Sequence, residues 1–265
     1  MAWQQTVHAA EHLLVITGAG ISVASGVPTF RGDDPGAVWS ESVMEMGTRA
    51  FFLREPVRYW QWNQALYGPI LAARPNPAHM ALARLERHLL GRGRRFTLVT
   101  QNIDTLHEDA GSQDVIKIHG TVSRVRCARE GCMNGSPRGS LPSSVVDMAS
   151  LSAATDRIHL PRCTACGGLL RPHVLWFDEY YTEHHDYRFE EAAAAVASAD
   201  VLLFVGTSFA VGITDLMLDQ ALARGAKLIS VDPHGVPPHP LVEWVKKPAE
   251  AVLPGLSIWP PTGGA

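Results

Sequence analysis

The chain has 265 residues, of which 46% are hydrophobic and 18% are charged, and its formal net charge is −3. This composition is that of a globular protein large enough to bury a full core, and it excludes a wholly disordered chain. The small net charge gives no reason to expect binding to nucleic acid or to a membrane, so we expect neither as a partner.

The N-terminal residues, MAWQQTVHAAEHLL, lack the basic segment, apolar core and cleavage site of a signal peptide. The longest apolar runs, such as VLLFV at 201–205, are far too short to cross a bilayer. We therefore expect a cytoplasmic protein, in which paired thiols more often bind metal than form disulfides.

Short apolar runs along the chain predict buried parallel strands. The runs are LLVIT at 13–17, FTLVT at 96–100, VIKIH at 115–119, VLLFVG at 201–206 and KLISV at 227–231. Stretches with apolar residues at three- and four-residue spacing predict helices between several of these strands, at 78–90, 189–199 and 214–225. This alternation indicates an α/β fold with a doubly wound parallel sheet, whose ligand binds at the carboxyl ends of the strands.

Two segments interrupt the alternation. Residues 32–77 hold most of the aromatic residues in a helical pattern, and residues 124–177 hold all four cysteines. We interpret both segments as insertions that together form a small helical and zinc-binding module. The main domain is then assigned to 1–31, 78–123 and 178–265, and the cleft between the two modules is the expected site.

The first predicted strand is followed by a turn of small residues. Gly18, Ala19 and Gly20 precede an expected helix, so backbone N–H groups of this turn could face a pyrophosphate. The segment is not a complete G-x-G-x-x-G motif, because Val23 occupies the third glycine position and no acidic residue ends an obvious second strand about 20 residues later. An ordinary dehydrogenase is disfavoured, and a plain tight turn is the alternative interpretation.

Polar residues follow the next two predicted strands. Asn102 and Asp104 lie in TQNID at 100–104, and His119 lies in IHG at 118–120. The carboxyl ends of parallel strands meet at one sheet edge, which places these residues beside the glycine turn. A lone histidine is often structural, but no serine or cysteine nucleophile elbow is evident, so we favour a histidine base that acts on a hydroxyl group.

The four cysteines form two pairs, Cys127-x4-Cys132 and Cys163-x2-Cys166, separated by 30 residues. Two such pairs are typical of a tetrahedral Zn²⁺ site, and four thiolates leave no open position for water, so the metal is expected to be structural. Four free core cysteines are the alternative. The following segment, RPHVLWFDE at 171–179, is either a strand packed under the zinc site or an edge that pairs with an extended peptide.

Taken in order, several motifs resemble those of the sirtuins, which are NAD-dependent protein lysine deacylases. The motifs are GAGISVASGVPTFRG, TQNID, IHG, the two cysteine pairs, RPHVLWFDE, GTSFAV and AEAVLPGL, and they extend over nearly the whole chain. GVPTFRG and RPHVLWF are most similar to the class III branch, which includes bacterial and mitochondrial desuccinylases. The resemblance implies a large Rossmann-like domain with a small inserted zinc-ribbon and helical module, NAD consumed as a co-substrate, acylated-lysine protein substrates and a monomer.

The resemblance also implies a mechanism and a set of site residues. Asn102 and Asp104 would help to position NAD so that the acyl oxygen attacks the anomeric carbon and nicotinamide leaves. His119 would then deprotonate a ribose hydroxyl, and the products would be free lysine and O-acyl-ADP-ribose. The implied NAD contacts are Gly18, Ala19, Gly20, Thr29, Phe30, Arg31, Gln101, Asn102, Ile103, Asp104, Gly206, Thr207, Ser208, Asp232 and Ala249. The implied peptide contacts are Val174, Leu175, Trp176 and Phe177.

The chain departs from the family pattern at three places. An ungapped alignment puts Asn63 and Leu66 where class III desuccinylases carry a Tyr-x-x-Arg pair that binds an acyl carboxylate. Burial of an acidic acyl group without a cationic partner is penalised, so we predict a preference for acetyl or other uncharged acyl groups over succinyl. Asp178 replaces the usual glycine before Glu179, and Asp232 replaces the usual asparagine after a late strand.

Two other functions are compatible with the same residues. The first is ADP-ribosyl transfer or NAD hydrolysis at the same site, and the second is a non-catalytic adaptor that binds NAD and zinc. The presence of both Asn102 and His119 argues against the adaptor, because a binding module has no evident use for the pair.

Overall fold

The structure is a computed structural model that describes residues 2–28, 41–151, 154–209 and 212–258. Three predicted NAD contacts, Thr29, Phe30 and Arg31, lie outside the described residues. None of the helices within these ranges combines the length and the apolar character that a bilayer crossing requires.

The described strands form two sheets. They are β1 (His12–Thr17), β2 (Arg95–Thr100), β3 (Val115–Lys117), β4 (Gly120–Cys127), β5 (Leu141–Pro142), β6 (Leu170–Val174), β7 (Val201–Val205), β8 (Lys227–Val231) and β9 (Val242–Val245). The main sheet has the order β3-β2-β1-β7-β8-β9, and each neighbouring pair is parallel. The parallel sheet predicted from the alternation is therefore confirmed, and it agrees with the Rossmann-like domain that the resemblance implies.

The helices explain why the central strands are apolar throughout. They are α1 (Ala2–Ala9), α2 (Glu41–Met46), α3 (Arg49–Arg54), α4 (Pro56–Ala72), α5 (Pro77–Leu90), α6 (Leu106–Asp109), α7 (Met148–Leu151), α8 (Phe189–Val196), α9 (Gly212–Ala223) and α10 (Ala249–Val252). Helices cover both faces of the main sheet, so every residue of β1 and β7 is buried. The predicted helices at 78–90, 189–199 and 214–225 correspond to α5, α8 and α9.

Side chains of β1 alternate between the two faces of the sheet. Leu13 and Val15 belong to one hydrophobic cluster, whereas Leu14 and Ile16 belong to the cluster on the opposite face. The strand predicted at 115–119 ends early, at Lys117, and β9 was not predicted. The sequence of β9, VEWV, carries a polar residue and lies at the sheet edge, where only one of its four residues is fully buried.

The second sheet is antiparallel and has the order β5-β4-β6. Its longest strand, β4, begins at Gly120, four residues before the predicted start of the insertion at 124. A third hydrophobic cluster joins this sheet to the helical insertion, since Phe52 and Trp60 share it with Cys127 and Leu170. This common core supports one small module built from both insertions, and its chain boundaries stay a prediction.

Candidate active site

Turns at the carboxyl ends of β1, β2 and β7 contact one another through hydrogen bonds. The Gln101 N–H donates to the carbonyl of Thr17 over 2.9 Å, and the Gln101 side-chain amide donates to Oγ1 of Thr207 over 3.3 Å. The Gly18 N–H donates to the carbonyl of Val205 over 3.0 Å. The three turns that the sequence motifs identified therefore lie together at one edge of the sheet.

The glycines of the first turn permit a close approach to the turn after β7. A Cβ on Gly18 would lie 2.7 Å from the carbonyl oxygen of Gly206, and a Cβ on Gly20 would lie 2.7 Å from the Cα of Gly206. The Gly20 N–H donates to that same carbonyl over 2.9 Å, and a 3-10 helix, Ala19–Ser25, follows. Two N–H groups that we expected to face a pyrophosphate are thus bonded within the protein, and the glycines serve the packing of the two turns.

A buried hydrogen-bond network fixes the side chain of Asn102. Its Nδ2 donates to the carbonyl of Gly18 over 3.0 Å and to Oγ of Ser22 over 3.2 Å, and Ser22 donates to Oδ2 of Asp104 over 2.9 Å. Because a carbonyl only accepts, the amide nitrogen of Asn102 must point toward Gly18, and Oδ1 is the atom a ligand would meet. A narrow cavity beside this network is lined in part by Ala19 and Ile103.

Ser22 was not predicted as a site residue. It lies within the GAGIS segment that the sequence analysis identified, one 3-10 turn after Gly18, and it is fully buried. Its hydroxyl joins Asn102 to Asp104. The Asp104 carboxylate also accepts from the Leu106 N–H through Oδ1, over 3.1 Å, so the start of α6 helps to hold it.

His119 lies between the end of β3 and the start of β4, and it is partly exposed. Its Nδ1 lies 2.8 Å from the carbonyl oxygen of Gln101. A carbonyl only accepts, so Nδ1 carries the proton and Nε2 carries a lone pair. Burial lowers the pKa of His119, and the bond to Gln101 offsets this only in part, so the side chain is neutral near pH 7. In this state Nε2 can accept a proton, which is what the predicted general base requires.

The other predicted NAD contacts lie in three different settings. Ser208 is exposed, and Thr207 is buried beside the glycine turn. Asp232 follows β8, and its Oδ1 accepts from the N–H groups of His234 and Gly235 over 2.7 and 2.5 Å. A ribose hydroxyl would therefore have to be bound by Oδ2. Ala249 is the first residue of α10, and its side chain is buried in the core beneath the sheet.

Residues 174–177, the segment predicted to contact the substrate peptide, form main-chain hydrogen bonds with other parts of the protein. The N–H groups of Leu175 and Phe177 donate to the carbonyls of His119 and Gly47 over 2.9 and 3.0 Å, and the Trp176 N–H donates to Glu179 over 3.1 Å. These three N–H groups therefore have partners within the protein, and the pairing of residues 174–177 with a substrate peptide stays a prediction. Phe177, the last residue of the segment, is half exposed.

Val174 and Trp176 belong to the core of the small module. Val174 is the last residue of β6, and Trp176 donates from Nε1 to the hydroxyl of Tyr59 over 2.7 Å. The segment therefore matches the interpretation of a strand packed near the zinc site, with its exposed end at Phe177.

Asp178 connects this segment to the helical insertion. Its Oδ1 accepts from the Arg49 N–H over 2.7 Å, and its Oδ2 accepts from the Ala50 N–H over 3.2 Å. These are the first two N–H groups of α3, which have no partner within the helix. A glycine could not supply this cap, which gives the departure from the family pattern a physical reason.

Asn63 and Leu66 lie toward the core of the small module on α4. Asn63 is 1% exposed, and its amide lies near the hydroxyls of Tyr59 and Tyr67 without a well-aligned hydrogen bond to either. Leu66 is partly buried against the same cluster. Arg58, the only arginine of α4, is exposed and lies over the ring of Phe51 at 5.8 Å. No cation from α4 therefore enters this core.

The four cysteines have the geometry of a metal site. Sγ of Cys127 lies 3.5 Å from Sγ of Cys166, Sγ of Cys132 lies 3.7 Å from Sγ of Cys163, and all four atoms lie within 4.8 Å of one another. Four sulfurs bound to one Zn²⁺ at about 2.3 Å lie about 3.8 Å apart. Cysteines Cys127, Cys132, Cys163 and Cys166 therefore fit a structural zinc ion, as predicted.

A second cluster of possible ligands, His173, His184 and Asp186, does not offer a comparable site. Nε2 of His184 lies 3.1 Å from the carbonyl of Gly139, so it donates, and its Nδ1 accepts from the Asp186 N–H over 3.1 Å. Both nitrogens of His184 are thus engaged, and no lone pair is left for a metal.

Comparison with known proteins identifies the family. The model of the Sir2 family matches residues 18–212. The chain is 41% identical to NAD-dependent protein deacylase 1 of Pseudomonas aeruginosa over 249 residues, or 93% of each protein. It is 36% identical to the mitochondrial NAD-dependent protein deacylase sirtuin-5 of Canis lupus familiaris over 224 residues, or 82% of this chain and 71% of that protein.

Solved structures agree with the sequence comparison. A Sir2 homologue in complex with NAD superposes with a TM-score of 0.78 at 33% identity, covering 97% of this chain and 91% of that one. The family match spans the glycine turn, the Asn102 network, His119 and the zinc cysteines. The resemblance to sirtuins is thereby confirmed, and the chain belongs to the Sir2 family.

Proposed function

We propose that this protein is an NAD-dependent protein deacylase that removes acyl groups from lysine side chains and forms nicotinamide and O-acyl-ADP-ribose. The names of its relatives in Pseudomonas aeruginosa and Canis lupus familiaris support this activity, and the related NAD complex supports NAD as the co-substrate. Acylated proteins are then its substrates.

The observation that carries the proposal is the hydrogen bond from Nδ1 of His119 to the Gln101 carbonyl. It fixes the neutral tautomer with the lone pair on Nε2, at the sheet edge where the Asn102 network lies. A neutral imidazole with a free lone pair is suited to remove a proton from a ribose hydroxyl near pH 7. A histidine held in the opposite tautomer would present a donor there and could not act as the base.

We assign the steps as follows. Asn102, Asp104 and Gln101 hold NAD so that the acyl oxygen attacks its anomeric carbon while the bond to nicotinamide breaks. His119 then accepts the proton of a ribose hydroxyl, whose oxygen attacks the carbon of the resulting imidate. The carbon–nitrogen bond to lysine then breaks and free lysine leaves. Water adds to the carbon that lost the amine, so that the acyl group stays on one ribose oxygen and the anomeric carbon keeps a hydroxyl. The predicted contacts at Gly18, Gly206, Asp232 and the other positions stay part of this proposal.

The acyl preference is a separate part of the proposal. Asn63 and Leu66 are neutral, and Arg58 is exposed on the far side of α4. A succinyl carboxylate buried beside them would have no cationic partner from α4, and the nearby Arg171 is already paired with Glu179, so its burial costs several kcal/mol. We therefore propose that acetyl and butyryl groups are removed faster than succinyl groups. Because sirtuin-5 is a relative of this chain, the rates of acetyl, butyryl and succinyl removal have to be measured side by side.

We also propose that the protein works as a monomer, as its resemblance to the sirtuins implies. Its mass in solution, measured by light scattering with and without NAD, tests this directly.

The test of the activity uses purified protein, NAD and one peptide that carries acetyl-, butyryl- or succinyl-lysine. Mass spectrometry follows deacylated peptide, nicotinamide and O-acyl-ADP-ribose for the wild type, for His119→Ala and for the control His159→Ala, whose side chain is 61% exposed. We expect loss of more than about 10²-fold in deacylation for His119→Ala alone, the usual contribution of a general base.

The possible results separate the hypotheses. Efficient removal of succinyl would contradict the proposed role of Asn63 and Leu66 but not the deacylase activity. Nicotinamide release without an acylated peptide, or ADP-ribose attached to protein, would instead indicate NAD hydrolysis or ADP-ribosyl transfer.

A further inference from the structure

We propose that Tyr181 is a positioning residue for His119: the tyrosine hydroxyl donates to Nε2 of the imidazole, and the tyrosine ring packs nearly parallel to the imidazole ring. This inference rests on the proposed function only in taking His119 as the base. Tyr181 takes no part in bond making, because it acts through the orientation and the protonation state of His119.

Three aromatic rings form a stack that ends at His119. The centroids of His119 and Tyr181 lie 5.8 Å apart with 19° between the ring planes, and those of Tyr181 and Phe189 lie 5.5 Å apart with 10° between the planes. Phe189 is the first residue of α8, which packs on the main sheet. Tyr181 therefore connects the imidazole to a fixed helix.

The polar contacts of Tyr181 define the direction of its hydrogen bonds. Its hydroxyl oxygen lies 3.4 Å from Nε2 of His119. Nδ1 of His119 already carries the ring proton, so Nε2 can only accept. The Tyr181 hydroxyl is therefore the donor in this contact. Burial raises the pKa of Tyr181, which keeps this proton in place near neutral pH.

The contact with Tyr181 affects the pKa of His119. A donor to Nε2 stabilises the neutral imidazole and lowers its pKa. The other described group in polar contact with the ring is the Gln101 carbonyl at the end of β2, and neither it nor Tyr181 is charged near neutral pH. A ribose hydroxyl must replace Tyr181 as the donor to Nε2. The tyrosine thus holds the lone pair in its working direction until the substrate arrives.

The test uses two variants of Tyr181 and a neighbouring control. Tyr181→Phe keeps the ring stack and removes the hydroxyl, whereas Tyr181→Leu removes both. Tyr180→Phe is the control, because that tyrosine is 75% exposed. Single-turnover mixing with NAD and an acetyl-lysine peptide resolves nicotinamide release, which does not need the base, from O-acyl-ADP-ribose formation, which does.

We expect Tyr181→Phe to release nicotinamide at the wild-type rate and to form O-acyl-ADP-ribose about two- to tenfold more slowly, the range one neutral hydrogen bond supplies. Tyr181→Leu is expected to slow the second step further, and Tyr180→Phe to change neither. Without substrate, an NMR titration, with the signal assigned by His119→Ala, is expected to show the pKa of His119 raised by about 0.5 in Tyr181→Phe.

Two results would overturn the proposal. One is wild-type behaviour of Tyr181→Phe in both steps with an unchanged pKa of His119. The other is an equal loss in both steps, which would indicate a general structural role. A wild-type protein that needs no acylated peptide to release nicotinamide would overturn the proposed function instead, and the NMR titration would still decide whether Tyr181 bonds to His119.

Discussion

Gly206 is the residue at which the turns after β1 and β7 come closest. Its φ is +60°, and a Cβ there would lie 2.2 Å from the nitrogen of Ile21 and 2.5 Å from the carbonyl carbon of Gly20. An alanine at this position would have to adopt a left-handed backbone conformation, and its Cβ would overlap with backbone atoms of the turn after β1. Both effects act on the turn that holds the Asn102 network.

We predict that Gly206→Ala lowers the free energy of unfolding by about 3 kcal/mol, the sum of backbone strain and displacement of packed atoms. Urea denaturation measures this. Gly225→Ala is the matched control, because Gly225 has a φ of +72° and open space around its Cβ position. It should cost only about 1 kcal/mol. Equal losses in the two variants would show that the contact between the turns is not tight.

Sequence reasoning found the site residues that immediately follow strands and missed those that do not. Asn102, Asp104 and His119 could be placed together because parallel strands end at one edge of the sheet. Tyr181 lies 62 positions after His119 and follows no strand of the main sheet, so only the tertiary fold brings the two rings together. The pairing of Gly18 and Gly20 with the β7 turn likewise depends on a crossover that local sequence does not encode.

At the scale of the elements, a buried cluster of charged side chains joins β4 and β6 to Glu179, the last residue of the RPHVLWFDE segment. Glu179 accepts from Nη1 and Nη2 of Arg171 and, over 3.3 Å, from Nη2 of Arg126. Its side chain is 2% exposed. Burial alone raises the pKa of Glu179, but Arg171 and then Arg126 outweigh this effect, so the pKa lies below its ordinary value of 4.5.

We predict that Glu179→Gln lowers the free energy of unfolding by about 3 kcal/mol at pH 7, because two arginines lose their buried counter-charge. The depressed pKa contributes stability above pH 4.5, and this contribution is lost as the pH falls from there through the lower folded-state value. The wild type should therefore lose stability more steeply than the variant between about pH 5 and 3.

Glu130→Gln is the control for this experiment, since Glu130 is 77% exposed and paired with Arg49 at the surface. It should cost less than about 1 kcal/mol. Parallel pH profiles of wild type and Glu179→Gln would contradict the assignment of the acid-labile stability to Glu179.

Element prediction from sequence succeeded where burial is complete on both faces and failed at edges. The central strands read as continuous apolar runs because helices cover both of their faces. The edge strand β9 alternates and is short, so its pattern does not differ from that of a loop. Strand β4, which begins at Gly120, was not predicted, because its first residues follow directly from the His119 turn.

At the scale of the whole molecule, the small module depends on two insertions that are far apart in the chain. Its cluster combines aromatic residues of α3 and α4 with Cys127 and Cys163. Helices of six residues, such as α2 and α3, are too short to be stable alone. The cysteine loops must therefore be held in place for the helices to pack, and a zinc ion bound by four thiolates would supply that restraint.

We predict one zinc ion per chain by elemental analysis and selective unfolding of the small module when a strong chelator removes it. Tryptophan emission should shift to longer wavelength, because Trp60 and Trp176 are buried in this module, while the far-UV signal of the parallel sheet is largely retained. Zinc added back should restore the emission, and Cys163→Ser should mimic the chelated state. The main sheet has its own clusters on both faces and needs no metal contact, so its unfolding should become a separate, later transition in urea. A single transition at unchanged urea concentration after chelation would show that packing alone holds the module.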